Sequence, residues 1–439
     1  MLKKCIWVYF VLMIALLLNG CNSTKDYWDN DDLDTSSEPL EIIENQTIEE
    51  LTNASNEEED IYAYIDSYID GMTLEEKVGQ IFMAAFRHNG ENLPVTYLDE
   101  KTKELIKSHH LGGIIFFAEN IDTVEQTKKL INNMQAISKT PLFIAIDEEG
   151  GIVSRLNSSN GMPATKLPGN KVLGMTENPE LAYKVGKLLG RELSSLGFNM
   201  NLAPVADVNT NPNNPVIGER SFGDDPHKVG KMVGKMVQGI QEQNISAVVK
   251  HFPGHGDTSL DTHKEAVTLH HNSERLNAVE FHPFKSGIQK GVDGVMLAHI
   301  IVPNITDNNL PATFSEIIIE DILRNQLKHK RLIITDALEM AAISKHWTSE
   351  EAAVLAFQAG ADILLMPASL EKAYNGLLRA IREGVIPETR LEDSVRRILM
   401  IKYERGILDF EEAMIDPYNI LGSQEHLQIV EEIYQYNNK

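Results

Sequence analysis

The run Lys250-His251-Phe252-Pro253-Gly254-His255-Gly256-Asp257-Thr258, continuing to Asp261-Thr262-His263, is the chain's richest stretch of side chains able to carry a proton. Glycines on both sides of His255 permit backbone conformations closed to other residues, which suggests a loop that folds over a site or opens from it. Residues two apart in an extended segment share a side, so Asp261 can accept a hydrogen bond from one imidazole nitrogen of His263 and set which nitrogen faces a substrate. Far along the chain, Asp336 closes the apolar run Leu332-Ile333-Ile334-Thr335, with Ala337 and Leu338 leaving it room. Glu339 is a rival carboxylate, but its place at the start of the next helix reads as a cap.

Other polar residues stand at the same kind of boundary. Asp147 follows Leu142 to Ile146, Asp207 closely follows Met200 to Val205, Lys250 and His251 follow Ala247 to Val249, and His299 follows Val295 to Ala298. Such groups are costly to bury, and packing alone does not account for their recurrence where apolar runs end. Cleavage of a glycosidic bond with retention needs a carboxylate nucleophile on one face of the sugar and a proton donor on the other. Asp336 and the Asp261–His263 pair supply one of each.

These residues need a scaffold. The apolar runs Gln80 to Ala85, Gly113 to Phe117, Leu142 to Ile146, Met200 to Ala203, Ala247 to Val249, Gly294 to Ala298, Leu332 to Thr335 and Ile363 to Met366 read as strands buried on both faces. Amphipathic stretches between them, Val124 to Ser138, Pro179 to Leu196, Asp225 to Gln243, Ser273 to Gly291, Ser315 to Leu327 and Ser349 to Ala359, read as helices. Asn178 before Pro179, Ser273, and Ser315 before Glu316 mark starts. About eight strands alternating with helices fit a (β/α)8 TIM-type barrel over 61–408, with Leu370 to Arg382 and Leu391 to Tyr403 as a C-terminal helical extension. A doubly wound three-layer sheet has the same alternation and is the competing fold. The tail, 409–439, has helical character around His426 to Tyr436 and no assignable chemistry.

Ahead of this domain, Met1 to Lys4 is basic, Ile6 to Leu18 is apolar, and Leu18-Asn19-Gly20-Cys21 follows. That layout resembles a bacterial lipoprotein signal, with Cys21 the lipidated residue. The apolar run is shorter than the about 20 residues a bilayer span needs. The domain is therefore expected outside the cytoplasm, anchored to the cell membrane through an N-terminal lipid. Residues 22–60, acidic and poor in apolar side chains, are expected to form a disordered tether. Cys5 and Cys21 are the only cysteines, so a disulfide framework, a cysteine nucleophile and a thiolate metal site are excluded from the domain. A net charge of -24 argues against nucleic acid or an anionic membrane surface as a partner. No oligomeric state follows from the sequence.

The motifs Ile146-Asp147-Glu148-Glu149-Gly150-Gly151 with Arg155, Asn201-Leu202-Ala203-Pro204-Val205-Ala206-Asp207, Gly218-Glu219-Arg220-Ser221-Phe222-Gly223, Lys250 to His263 and Thr335-Asp336-Ala337 occur in this order. Together they resemble glycoside hydrolase family 3, in its β-N-acetylglucosaminidase branch, over nearly all of Tyr62 to about Leu408. The resemblance implies a hydrolase acting on amino-sugar oligosaccharides, with Asp336 as nucleophile and His263 as general acid/base oriented by Asp261. It implies that Asp147, Arg155, Arg220, Lys250 and His251 hold the terminal N-acetylglucosamine, a set in which carboxylate accepts and cations donate to hydroxyl and acetamido oxygens. Thr262 stands where serine is usual in the family, and the second domain of many secreted relatives is expected to be missing. An imidazole acid/base adds no second negative charge beside the reaction centre, so phosphate stays open beside water as acceptor. No cofactor or metal is expected. Two rivals remain: a metal-dependent barrel hydrolase using His251, His255 and His263, and a sugar-binding protein without catalysis on the same fold.

Overall fold

The computed structural model describes residues 59–259, 267–409 and 415–437. The export signal, Cys21, nearly all of the acidic stretch, and Asp261, Thr262 and His263 lie outside the described residues.

Among the described residues ten strands occur: β1 Phe82–Ala85, β2 Gly113–Phe116, β3 Phe143–Ile146, β4 Met200–Asn201, β5 Ser246–Phe252, β6 Val267–Thr268, β7 Gly294–Leu297, β8 Ile300–Ile301, β9 Leu332–Thr335 and β10 Leu364–Leu365. Eight of them run parallel in the order β10-β1-β2-β3-β4-β5-β7-β9, while β6 and β8 form a separate pair. The ring closes because Ile334 of β9 bridges Ile363, immediately before β10, with the Thr335 N–H donating to the Ile363 carbonyl at 3.0 Å. A closed barrel has no sheet edge, which removes the doubly wound alternative. All eight expected strands are present. β2, β3, β7 and β9 are wholly buried, as apolar runs packed between a barrel interior and a helical layer must be.

A helix follows each barrel strand: Glu100–Ser108, Val124–Ile137, Pro179–Leu196, Pro226–Gln241, Phe281–Gln289, Ile317–Gln326, Ser349–Gln358 and Leu370–Arg382. Their starts are chemically marked. Asn178 accepts from the Glu180 N–H ahead of Pro179, Asp225 caps ahead of Pro226, and Thr348 and Glu351 form a reciprocal capping box. One expected helix, Ser273 to Gly291, is broken into Ser273–Ala278 and Phe281–Gln289, and Asn272 rather than Ser273 caps it. Pro283 accounts for the break: within one continuous helix its ring would strike the Val279 carbonyl, whereas the first turn of a new helix tolerates it.

Charged groups before the strands, at the barrel's N-terminal end, are locked in ion pairs. Buried Asp362 meets Arg324 and Arg397, and buried Asp293 meets Arg331 and Arg405. Arg397 and Arg405 come from the end-capping helix Glu388–Glu404 and the residue after it. The opposite end, where the strands finish, is left for chemistry.

Candidate active site

Asp147 directly follows β3, Asp336 directly follows β9, and Lys250 and His251 sit within the last residues of β5, which runs three residues further than the sequence pattern indicated. The pairing of β5 with β7 slips between Val249 and Phe252, so consecutive residues there do not follow a regular alternation. The peptide bonds Ala203–Pro204, Lys250–His251 and Phe252–Pro253 are cis.

Six of the expected site residues line one cleft at this end of the barrel. Asp147, Arg155, Arg220, Lys250 and His251 face it together with Asp336, and Arg87, Phe117, Glu149, His255, Met296, Glu339 and Met366 complete its walls. The cradle is a chain of alternating charge. Lys250 Nζ lies 2.6 Å from Asp147 Oδ1 and 2.7 Å from Glu149 Oε1, and Arg220 grips both Glu149 oxygens from Nε and Nη2 at 2.9 and 2.8 Å. Arg155 Nη2 stands 3.5 Å from the other Asp147 oxygen. Burial disfavours the Glu149 anion, but Lys250 and Arg220 outweigh it and hold its pKa well below the usual carboxylate value. Burial likewise opposes the Lys250 and Arg220 cations, and their acidic partners prevail, raising both pKa values. Asp147, less deeply buried than Glu149, is the carboxylate of this wall that reaches the open space.

Asp207, wholly buried, organises the adjoining wall. It accepts from His251 Nδ1 at 2.7 Å and from the His255 backbone N–H at 2.7 Å. With Nδ1–H committed to Asp207, His251 presents Nε2 to Arg220 Nη2, 3.4 Å away. Burial, reinforced by nearby His251, lowers the His255 pKa against the pull of Asp207, and its Nδ1 meets Thr258 Oγ1 at 2.8 Å. The two flanking glycines prove to serve different ends. Gly254 adopts the left-handed region at φ 129°, whereas a Cβ on Gly256 would lie 1.9 Å from the Val208 carbonyl oxygen. The first needs conformational freedom as well as room beside the Glu280 side chain; the second needs the space. This stem leads into 260–266, which carry Asp261 and His263 and lie outside the described residues. Where the chain is described again, His271 Nε2 lies 3.0 Å from Asp257 Oδ2 of the stem.

Across the cleft, Asp336 Oδ1 accepts from the Ala337 N–H at 2.8 Å. Buried His299 steadies the turn, its Nε2 lying 3.0 Å from the Ala337 carbonyl oxygen and its Nδ1 2.7 Å from Thr313 Oγ1. Glu339 does not cap a helix as the sequence suggested. The short helix Ala341–Ser344 starts from Met340 without a side-chain cap, and Glu339 instead pairs with Arg87 Nη2 at 3.4 Å. Arg87 in turn lies over the Phe117 ring, 3.7 Å from its centre.

A family profile described as "Glycosyl hydrolase family 3 N terminal domain" matches residues 73–401. The chain belongs to glycosyl hydrolase family 3. It is 35% identical over 368 residues to the Beta-hexosaminidase A of Pseudoalteromonas piscicida, covering 75% of this chain and 61% of that protein. The chain therefore spans less than two thirds of that relative's length. The Beta-hexosaminidase of Hydrogenovibrio crunogenus is 34% identical over 281 residues, 63% of this chain and 77% of its own. A solved glycoside hydrolase family 3 beta-N-acetylglucosaminidase from Paenibacillus sp. superposes with a TM-score of 0.78 at 40% identity, covering 83% of this chain and 69% of that one.

Within this family 3 barrel, the residues that sequence reasoning left out of the site are Glu149, Asp207, Arg87 and Phe117. Glu149 was visible as a second acidic residue beside Asp147, and Asp207 as a strand-end carboxylate. Arg87 and Phe117 each follow a barrel strand within two residues, and that position was the only available signal for them.

Proposed function

We propose that this chain is a retaining exo-β-N-acetylglucosaminidase releasing terminal N-acetylglucosamine from amino-sugar oligosaccharides, cell-wall fragments first among them. One observation carries the reading. A cradle of fixed donors and one open acceptor, Asp147, Arg155, Arg220 and Lys250, shares a single cleft with the strand-end carboxylate Asp336 at the end of the barrel where this architecture performs its chemistry. The amino-sugar preference is supported by relatives bearing the names beta-hexosaminidase and beta-N-acetylglucosaminidase.

In this mechanism Asp336 attacks the anomeric carbon and forms a bond to it as the glycosidic oxygen departs with a proton from His263. Water then attacks the same carbon from the face the aglycone left. His263, held by Asp261, takes the water's proton, the bond to Asp336 breaks, and the sugar leaves with its original configuration. Asp147 accepts from sugar hydroxyls, while Arg155, Arg220, Lys250 and His251 hold hydroxyl and acetamido oxygens.

Turnover of a chromogenic N-acetyl-β-glucosaminide is expected to exceed that of the matching glucoside, with the β-anomer seen first by proton NMR. Asp336→Ala is expected to lose at least roughly 10^3-fold in kcat, and His263→Ala roughly 10^2 to 10^4-fold. Full activity in Asp336→Ala overturns the mechanism, and equal use of the glucoside moves the substrate. A sugar 1-phosphate formed on adding phosphate assigns phosphate as acceptor in place of water.

The same proposal places the enzyme outside the cytoplasm, held by lipid on Cys21 with the acidic 22–60 stretch as tether. The basic, apolar and Leu18-Asn19-Gly20-Cys21 segments support it. Cys21→Ala is expected to shift the protein from the membrane to the soluble fraction; unchanged membrane association refutes the anchor.

A further inference from the structure

Glu192, in the helix Pro179–Leu196, is a carboxylate at 2% exposure to which the mechanism gives no task. Four donors from three residues, in two separate parts of the chain, converge on it. Thr165 donates from its backbone N–H at 3.1 Å and from Oγ1 at 2.5 Å, the Gly422 N–H donates at 3.0 Å, and His426 Nδ1 lies 2.9 Å away. A carboxylate this deep requires such donors, and each bond to an ionised acceptor is stronger than a neutral one. Gly422 is itself wedged against the same stretch: at φ 58° it brings its backbone so near that a Cβ would lie 2.5 Å from the Pro163 carbonyl oxygen.

The contacts continue from Thr165 into the cradle. Its carbonyl accepts from Asn157 Nδ2 at 3.2 Å, and the same amide donates to Ser154 Oγ at 2.8 Å, so the turn bearing Arg155 hangs from Thr165. Two residues on, the Leu167 carbonyl accepts from the Gly151 N–H at 3.1 Å, steadying the turn that follows Asp147. A second route runs from the far end of the C-terminal helix Gln424–Asn437. There Asn437 Nδ2 donates to the Val172 carbonyl at 3.0 Å, within the short helix Asn170–Met175, whose Asn170 Nδ2 donates to the Arg220 carbonyl at 2.9 Å. Ion pairs Arg191–Glu425 and Lys184–Glu432 fasten the helix between these points. Residues 415–437 lie beyond the 73–401 that match the family.

We propose that the segment 415–437 is a brace that positions the sugar-binding arginines, with Glu192 and His426 as positioning residues acting through Thr165 on Arg155, and Asn437 acting through the Asn170–Met175 helix on Arg220. The proposal rests on the reading of those arginines as holders of the terminal sugar. Because they grip the sugar before and during reaction alike, loosening them weakens substrate binding more than the chemical step.

The test uses full-length protein carrying Thr165→Val, which removes one donor to Glu192 at nearly constant volume, Thr165→Ser, which restores it, and Gly422→Ala, which forces the C-terminal segment off Pro163. Thr165→Val and Gly422→Ala are expected to raise KM for the N-acetylglucosaminide about tenfold, the loss of roughly one charge-assisted hydrogen bond, with kcat within about threefold of wild type. Thr165→Ser is expected to match wild type. Amide hydrogen exchange at 148–158 is expected to quicken in the first two variants. Folded variants with unchanged exchange at 148–158, or with lowered melting temperature and unchanged KM, overturn the brace. Wild-type protein without turnover overturns the functional reading instead and leaves the exchange experiment to decide the brace by itself.

Discussion

Glu149 balances the charges of the cradle. It is wholly buried and pairs with both Arg220 and Lys250, so removing its charge deprives two cations in a low-dielectric wall of the carboxylate they share. Glu149→Gln is expected to cost about 3 to 5 kcal/mol in urea unfolding and to lower kcat/KM with it. The pH dependence has a definite sign. The folded pKa lies below the ordinary 4.5, so the stabilisation is complete above that value and is lost as pH falls below it. The gap between wild type and Glu149→Gln should therefore narrow in acid; a gap independent of pH shows that folding does not lower the pKa of this carboxyl. Its neighbour Glu148 has the opposite fate. Burial pushes Glu148 up to about 7, although its Oε2 accepts from the Arg155 and Leu156 N–H groups at 2.8 and 3.0 Å. Adjacent glutamates point into different surroundings, and the cations that hold Glu149 charged lie far away in the chain. Their roles were therefore not legible in the motif, although its place after β3 was.

At the scale of elements, the loops set the geometry and the strands set only their starting points. Asp147 and Asp336 were found by one rule, a charge where an apolar strand ends, and the barrel makes that rule physical by turning all such ends to one face. The rule does not reach Arg155 or Arg220, which stand in long loops, and these were reached through motif resemblance. Nor did it resolve the glycines around His255. Gly256→Ala tests the difference: its methyl must displace the 208–209 backbone, so it is expected to lower stability by about 1 to 3 kcal/mol and to reduce kcat/KM, read by thermal melts and initial rates. Wild-type behaviour in that variant would mean that the stem is free to move away from Val208. The broken helix at Val279 follows the same logic of local sterics, since Pro283 could have marked it in advance.

Across the whole molecule, polar groups are sorted between the two ends of the barrel. Asp293 and Asp362, before the strands, are consumed by ion pairs, whereas Asp147 and Asp336, after them, line the open cleft. Lys402 at the closed end is held differently. It is fully buried, with Nζ 2.8 Å from Gln80 Oε1 and 5.1 Å from the centre of the Phe143 ring, and burial lowers its pKa from 10.5 to about 7. Between those two values the unfolded chain holds a proton that the folded lysine has released, so folding grows more favourable as pH rises through the window and loses that contribution as pH falls towards 7. Relative to Lys402→Met, wild-type stability is expected to climb between pH 7 and 10, by at most about 1.4 kcal/mol per pH unit. Parallel stability curves for the two proteins would assign Lys402 an ordinary charge state.

The order of elements, the eight-strand count and the positions of Asp147, Lys250, His251 and Asp336 are local properties. They depend on runs of apolar side chains and on where those runs stop, and a strand's period and a helix's caps are set by near neighbours in the chain. Ring closure, the grip of Glu149 on two cations, the commitment of His251 to Asp207 and the tying of the C-terminal helix to Glu192 are of another kind. Each joins groups many residues apart, and the free energy of a buried charge depends on which partners the folded backbone delivers to it, a quantity that no stretch of the chain contains until the barrel has closed.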